Sequence, residues 1–256
     1  MNTEAGQPMP EAASKVPAVT ALFWFLKVLA TTLGETGGDA LSMSLGLGYL
    51  VSTGIFGVVF IAAVAMQIRA KAFHPAVYWI TIIATTTVGT TMADFADRSL
   101  GIGYAGGSAL LATLLVATLA TWYRTLGSVS VDTVSSWKAE AFYWLTVMFS
   151  QTLGTALGDW TADSVGLGYA GAALVFGSLL AILALARYRT RMSRTALFWA
   201  AFVLTRPLGA VVGDFLDKPL RDGGLHFSRF AASAILLVLI TASMLLVRQR
   251  AAPRAH

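Results

Sequence analysis

Four segments of this 256-residue chain repeat one pattern in register, and that repetition limits the possible folds more than any other feature. The segments begin at Phe23, Tyr78, Tyr143 and Phe198, and their tryptophans, Trp24, Trp79, Trp144 and Trp199, stand 55, 65 and 55 residues apart. Ten residues after each tryptophan comes a glycine (Gly34, Gly89, Gly154, Gly209), and fifteen after it an aspartate (Asp39, Asp94, Asp159, Asp214). The spacings also give a period of 120 residues that pairs repeat one with three and two with four, the trace two successive duplications would leave.

Each repeat continues into a second apolar run, near residues 49–66, 104–121, 169–186 and 230–247. Only 12% of the chain is charged, against about a quarter in an ordinary soluble domain, and residues 40–68, 99–123, 164–186 and 230–247 carry no Asp, Glu, Lys or Arg. Uncharged apolar runs of that length read as membrane spans. The expected fold is an all-α integral membrane protein whose eight transmembrane helices form four tandem, same-orientation helical hairpins with pseudo-symmetry. The expected boundaries are an N-terminal tail (1–17), repeats at 18–72, 73–128, 137–192 and 193–250, and a C-terminal tail (251–256). A soluble enzyme, a disordered chain and a nucleic-acid module are excluded.

Basic residues such as Lys15, Arg69, Lys71, Arg124, Arg187, Arg189 and Arg248 gather at the ends shared by the termini. Only Arg98, Lys218, Arg221 and Arg229 lie at the other ends. By the positive-inside bias both termini are expected in the cytoplasm, and the net charge of +5 reflects basic loops rather than an acidic partner. The polar first 17 residues, with Glu4, Glu11 and Lys15, lack the pattern of a cleaved signal peptide. The absence of cysteine excludes disulfides and thiolate metal sites.

The Trp, Gly and Asp columns are those of a known family. Over roughly residues 20–250 the chain resembles bacterial membrane proteins of unknown function built from four tandem two-helix repeats, each with a characteristic tryptophan. The resemblance implies the fold and a bacterial inner membrane, and brings no activity with it.

The acids carry the functional argument. Eight of the 13 sit in the odd-numbered helices, two per repeat: Glu35 and Asp39, Asp94 and Asp97, Asp159 and Asp163, Asp214 and Asp217. Members of a pair are three or four residues apart and share a helical face. With tryptophan at the interface, a rise of ~1.5 Å per residue puts Glu35 ~16 Å and the aspartate column ~22 Å along a hydrocarbon layer of ~30 Å. Charges at such depth face a bundle interior or a watery cavity, and are candidate ion ligands or proton carriers. Asp94 with Arg98, and Asp214 with Lys218, are i,i+4 pairs that can neutralise one another, so the odd repeats are expected to hold the uncompensated carboxylates.

Hydroxyl and amide residues upstream, among them Thr31, Thr32, Thr86, Thr87, Gln151 and Thr152, either line a path to the aspartates or serve interhelical packing. Lys27 is close enough to the interface to snorkel to it. Arg206, beside Pro207, is deeper, with Glu35 as its most attractive partner; Arg98, Arg206, Lys218 and Lys27 are the candidate charge-pairing residues. The tryptophans and the tyrosines of Gly46-Leu47-Gly48-Tyr49 and its two counterparts are expected as interface anchors. Any ion site must be built of oxygen, which suits Mn²⁺, Mg²⁺, Ca²⁺, Na⁺ or protons; Asp39, Asp159 and Glu35 are the candidate metal ligands. The expectation is a transporter of a small cation, such as the divalent metal Mn²⁺, acting in the lipid bilayer without a cofactor, catalytic residues or nucleic-acid partner. A pseudo-four-fold channel and a non-transporting scaffold are the alternatives.

Overall fold

A computed structural model describes residues 14–252; the tail positions 1–13 and 253–256, with Glu4, Glu11 and Arg254, lie outside the described residues. Eight long helices follow one another: α1 (Ala21–Asp39), α2 (Gly48–Arg69), α3 (Pro75–Asp94), α4 (Gly103–Leu126), α5 (Trp137–Asp159), α6 (Gly168–Arg189), α7 (Arg194–Asp217) and α8 (Arg229–Leu246). Local signals set their starts. Thr20, Ser136 and Ser193 accept the third helical N–H of α1, α5 and α7, and Pro75 opens α3, where its missing N–H costs nothing.

After Asp39, Asp94 and Asp159 the helix widens into a π turn (residues 40–44, 95–99 and 160–164) before the chain reverses. Both glycines of each reversal, Gly46 and Gly48, Gly101 and Gly103, Gly166 and Gly168, have φ between 64° and 78°. That left-handed backbone explains why the motif needs glycine twice. The fourth repeat lacks the motif and the π turn, and α7 runs on to Asp217.

The odd helices form a closed ring, α1 on α3, α3 on α5, α5 on α7 and α7 on α1. Each even helix packs outside, and its partner corrects one expectation. The helices of a repeat are not paired as a hairpin: α2 packs on α3, α4 on α5, α6 on α7, and α8 returns to α1. Every outer helix therefore straps its repeat to the next around the circle. The outward faces are apolar, with Leu50, Val58, Ile61, Leu174, Ile182 and Leu245 exposed. Six helices have the length and apolarity of a membrane span; α1 and α5 fall short of that measure because their polar residues line the ring.

The repeated columns follow from this circle. A Cβ on Gly34 would strike Thr86, on Gly89 the backbone and Cβ of Gln151, on Gly154 the stem of Arg206, and on Gly209 the side chain and backbone of Thr31. Each glycine receives, from the next repeat, the residue seven places after that repeat's tryptophan. Replacing Gly209 with alanine is expected to destabilise the fold by about 1–3 kcal/mol through overpacking. Gly37, whose added Cβ would meet nothing, should gain about 0.5–1 kcal/mol from the same change. Thermal melting of the two variants in detergent checks the contrast.

Candidate functional site

The ring axis is lined by residues spaced four apart on each odd helix: Phe23, Lys27, Thr31, Glu35, Asp39 on α1; Tyr78, Ile82, Thr86, Thr90, Asp94 on α3; Tyr143, Val147, Gln151, Thr155, Asp159 on α5; Phe198, Phe202, Arg206, Ala210, Asp214 on α7. All twenty are buried. A four-residue step drifts about 40° around a helix, so such stripes stay together only where helices cross obliquely, ridge into groove. The result is five levels along the axis, running from aromatic at the end bearing the termini to acidic at the other.

The aromatic end is closed. Phe23, Tyr78, Tyr143 and Phe198 meet there, the two tyrosine hydroxyls hydrogen-bonded at 2.6 Å. The tryptophans join this cluster, which corrects their assignment as interface anchors. Trp79, Trp144 and Trp199 are buried, Trp79 donates to Gln249 and Trp199 to the Val129 carbonyl, and only Trp24 is half-buried. Residues 14–18 lie across this end, with Val16 in the aromatic cluster and Lys15 bound to Glu140 at 2.6 Å, a pair the sequence did not suggest.

Arg206 governs the fourth level. Its Nη2 donates to Glu35 Oε2 at 2.9 Å, to Thr90 Oγ1 at 2.5 Å and to Thr155 Oγ1 at 2.6 Å. Glu35, Thr90 and Thr155 are the equivalent positions of the other three repeats, so one side chain ties all four together at the same height.

At the acidic end two cations bridge neighbouring repeats. Arg98 reaches Asp94 at 3.1 Å and Asp159 at 3.2 Å; Lys218 reaches Asp214 at 3.0 Å and Asp39 at 2.6 Å. Burial works against the charge of Lys218, but the carboxylates of Asp214, Asp39 and Asp217 prevail and hold its pKa well above the ordinary lysine value. Arg229 adds contacts to Asp217 at 3.1 Å and Asp39 at 3.7 Å. The odd-repeat aspartates are thus not uncompensated as expected, since each shares the cation of the preceding even repeat, a neighbour that i,i+4 spacing cannot reveal. Ion pairs cross the α3–α5 and α7–α1 contacts; among the described residues none crosses α1–α3 or α5–α7.

Carboxylate oxygens of Glu35, Asp39 and Asp214 lie within 4.8 Å of one another, all three residues buried. This trio replaces the expected set of Asp39, Asp159 and Glu35, because Asp159 turns to Arg98 on the α3–α5 side. Other placements differ as well. Asp163 is exposed and accepts from the Tyr104 hydroxyl at 3.4 Å. Asp97 is buried against Gly107, and neither of its oxygens has a partner. Asp217 is held by Arg229. Thr32, Thr87 and Thr152 do not line the axis but return their hydroxyls to the carbonyls of Val28, Ile83 and Met148 on their own helices. Lys27 does not snorkel and pairs with no acid among the described residues: it is fully buried, with Nζ 4.2 Å from the centre of the Phe202 ring. The sequence reading missed Arg229 as a ligand of the acids, having taken it only as a marker of orientation. Tyr49, expected as an interface anchor from the Gly-X-Gly-Tyr motif, also places its hydroxyl 3.4 Å from Arg98, a contact the motif does not announce.

Breaking a buried ion pair leaves a bare charge at a cost of about 3–5 kcal/mol. Arg206→Met is therefore expected to lower stability by about that amount, and Arg206→Met with Glu35→Met to recover much of it, as read from a double-mutant cycle of unfolding in detergent.

The model of a Repeat of Unknown Function (DUF347) matches residues 22–73, 77–128, 142–193 and 197–251. No curated protein and no solved structure matches the chain.

Proposed function

The chain belongs to this repeat family of unknown function, and from the geometry of its axis we propose that it is a multi-pass inner-membrane transporter of a small cation, a divalent metal such as Mn²⁺ among its substrates. The observation that carries the reading is the buried trio Glu35, Asp39 and Asp214 at the inner edge of an acidic layer. Six buried aspartates (Asp39, Asp94, Asp97, Asp159, Asp214 and Asp217) share this end with three cations (Arg98, Lys218 and Arg229), so an entering cation meets more carboxylates than the resident cations occupy. The donors are all oxygen, the ligand set of hard ions.

Lys218 acts as a tethered stand-in. Its ammonium sits between Asp39 and Asp214, where an entering cation competes for the same oxygens and displaces it. When Glu35 turns to the ion, Arg206 keeps the hydroxyls of Thr90 and Thr155, so the guanidinium is not stranded. Opening follows the two contacts that no ion pair crosses and is confined to the acidic end, where α3 and α5 part from α7 and α1 while the Arg206 hydrogen bonds to Thr90 and Thr155 hold α7 to α3 and α5 at the level below.

Proteoliposome uptake of Mn²⁺ tests the reading. Asp39→Asn and Asp214→Asn are each expected to cut uptake about tenfold or more, since even the supporting groups of a metal site contribute that much. Lys218→Met should lower the apparent KM while slowing turnover, because the site keeps its acids and loses the competitor that expels the ion. Asp163→Asn, off the axis, should leave uptake unchanged. Uptake indifferent to Asp39→Asn and Asp214→Asn in folded protein contradicts the proposal.

A further inference from the structure

The cation reading leaves Lys27 unused. This lysine lies eight residues before Glu35 on α1, and its fully buried Nζ has no hydrogen-bond partner. Its one polar compensation is the face of Phe202, a partial substitute for water or a counter-ion. Burial and the like charge of Arg206 both disfavour its ammonium form, and Glu35 is already committed to Arg206. An isolated buried ammonium is among the costliest groups a protein can hold, so Lys27 keeps its charge there only when a counter-ion joins it.

Neighbouring groups are unpartnered too. Arg206 Nε, and both Nε2 and Oε1 of Gln151, are buried with no acceptor or donor. Lys27 on α1, Gln151 on α5 and Arg206 on α7 come from three sides of the ring and from successive levels of the stripe, ~6 Å apart along the axis. The ammonium, the amide nitrogen and Nε–H all donate, and the Gln151 carbonyl alone accepts. The three donors are satisfied together by a ligand that accepts only and carries one negative charge.

We propose that Lys27, Gln151 and Arg206 hold a small monovalent anion of chloride size on the bundle axis, between the aromatic plug and the Glu35 level. The site touches the carboxylate trio through the Arg206–Glu35 pair but lies on the Lys27 side of it, and it does not depend on cation transport. The anion neutralises Lys27 and fixes charge on the inner side of the Arg206–Glu35 pair.

The full-length protein in detergent tests this by melting in chloride against gluconate at equal ionic strength. Wild type is expected to melt several degrees higher in chloride, with saturation. Gln151→Leu should reduce the difference, and Lys27→Met should abolish it by removing the charge that needs the ion. Crystals of wild type grown in bromide, which need no variant, should show an anomalous peak between Lys27 Nζ and Arg206. Equal melting of wild type in both salts, a full chloride effect persisting in Lys27→Met, or no bromide peak on the axis overturns the proposal.

Discussion

A guanidinium sealed from water must find its acceptors inside the protein, and Arg206 finds them in three different repeats. Desolvating such a group costs several kcal/mol, which only well-placed partners return. Glu35 supplies the charge, and Thr90 and Thr155 supply the remaining oxygens, all at one height on the ring. The arrangement joins two columns of the repeat: Arg206 stands seven residues after its tryptophan, and Glu35, Thr90 and Thr155 stand eleven after theirs, where the fourth repeat has the small Ala210. One repeat contributes the cation, one the anion and two the hydroxyls. Gly154, whose missing side chain leaves room for the stem of Arg206, completes the fit.

From that level outward the axis becomes a layer of acids cross-braced by Arg98 and Lys218. The 120-residue period places these two cations two repeats apart, so they brace opposite contacts of the ring and leave the other pair of contacts unbraced. A four-fold scaffold thus carries a two-fold pattern of charge, and the two-fold pattern defines where the bundle can part. From the Arg206 level toward the other end the axis closes on aromatic residues, with Val16 packed among them and residues 16–18 paired to residues 250–252. One end is acidic and the other is plugged, and on the proposed transport reading that is the asymmetry a carrier needs in one of its states.

Much of this was legible in the sequence. The columns of Trp, Gly and Asp marked four equivalent units, the uncharged runs marked the second helix of each, and the register of the aspartates marked the four carboxylates that come together at one end of the ring. Partnership between helices was hidden, because sequence spacing reports neighbours on one helix and is silent about neighbours across a ring. Asp39 looked bare since Met43 stands where Arg98 and Lys218 stand in the even repeats, yet Lys218 approaches it from the far end of the chain. Lys27 looked like a snorkelling residue for the same reason. Its distance from Trp24 was right, but its position in the inward stripe, four residues before Thr31 and eight before Glu35, decides that it points to the axis.

The central claim, that Glu35, Asp39 and Asp214 form one oxygen-lined cation site, is tested most directly by electron paramagnetic resonance of Mn²⁺ titrated into the detergent-solubilised protein. The account predicts one saturable bound ion per chain in an all-oxygen environment, lost in Glu35→Gln while the protein stays folded. A spectrum showing only free aqueous Mn²⁺, or a bound signal unchanged in that variant, would contradict it.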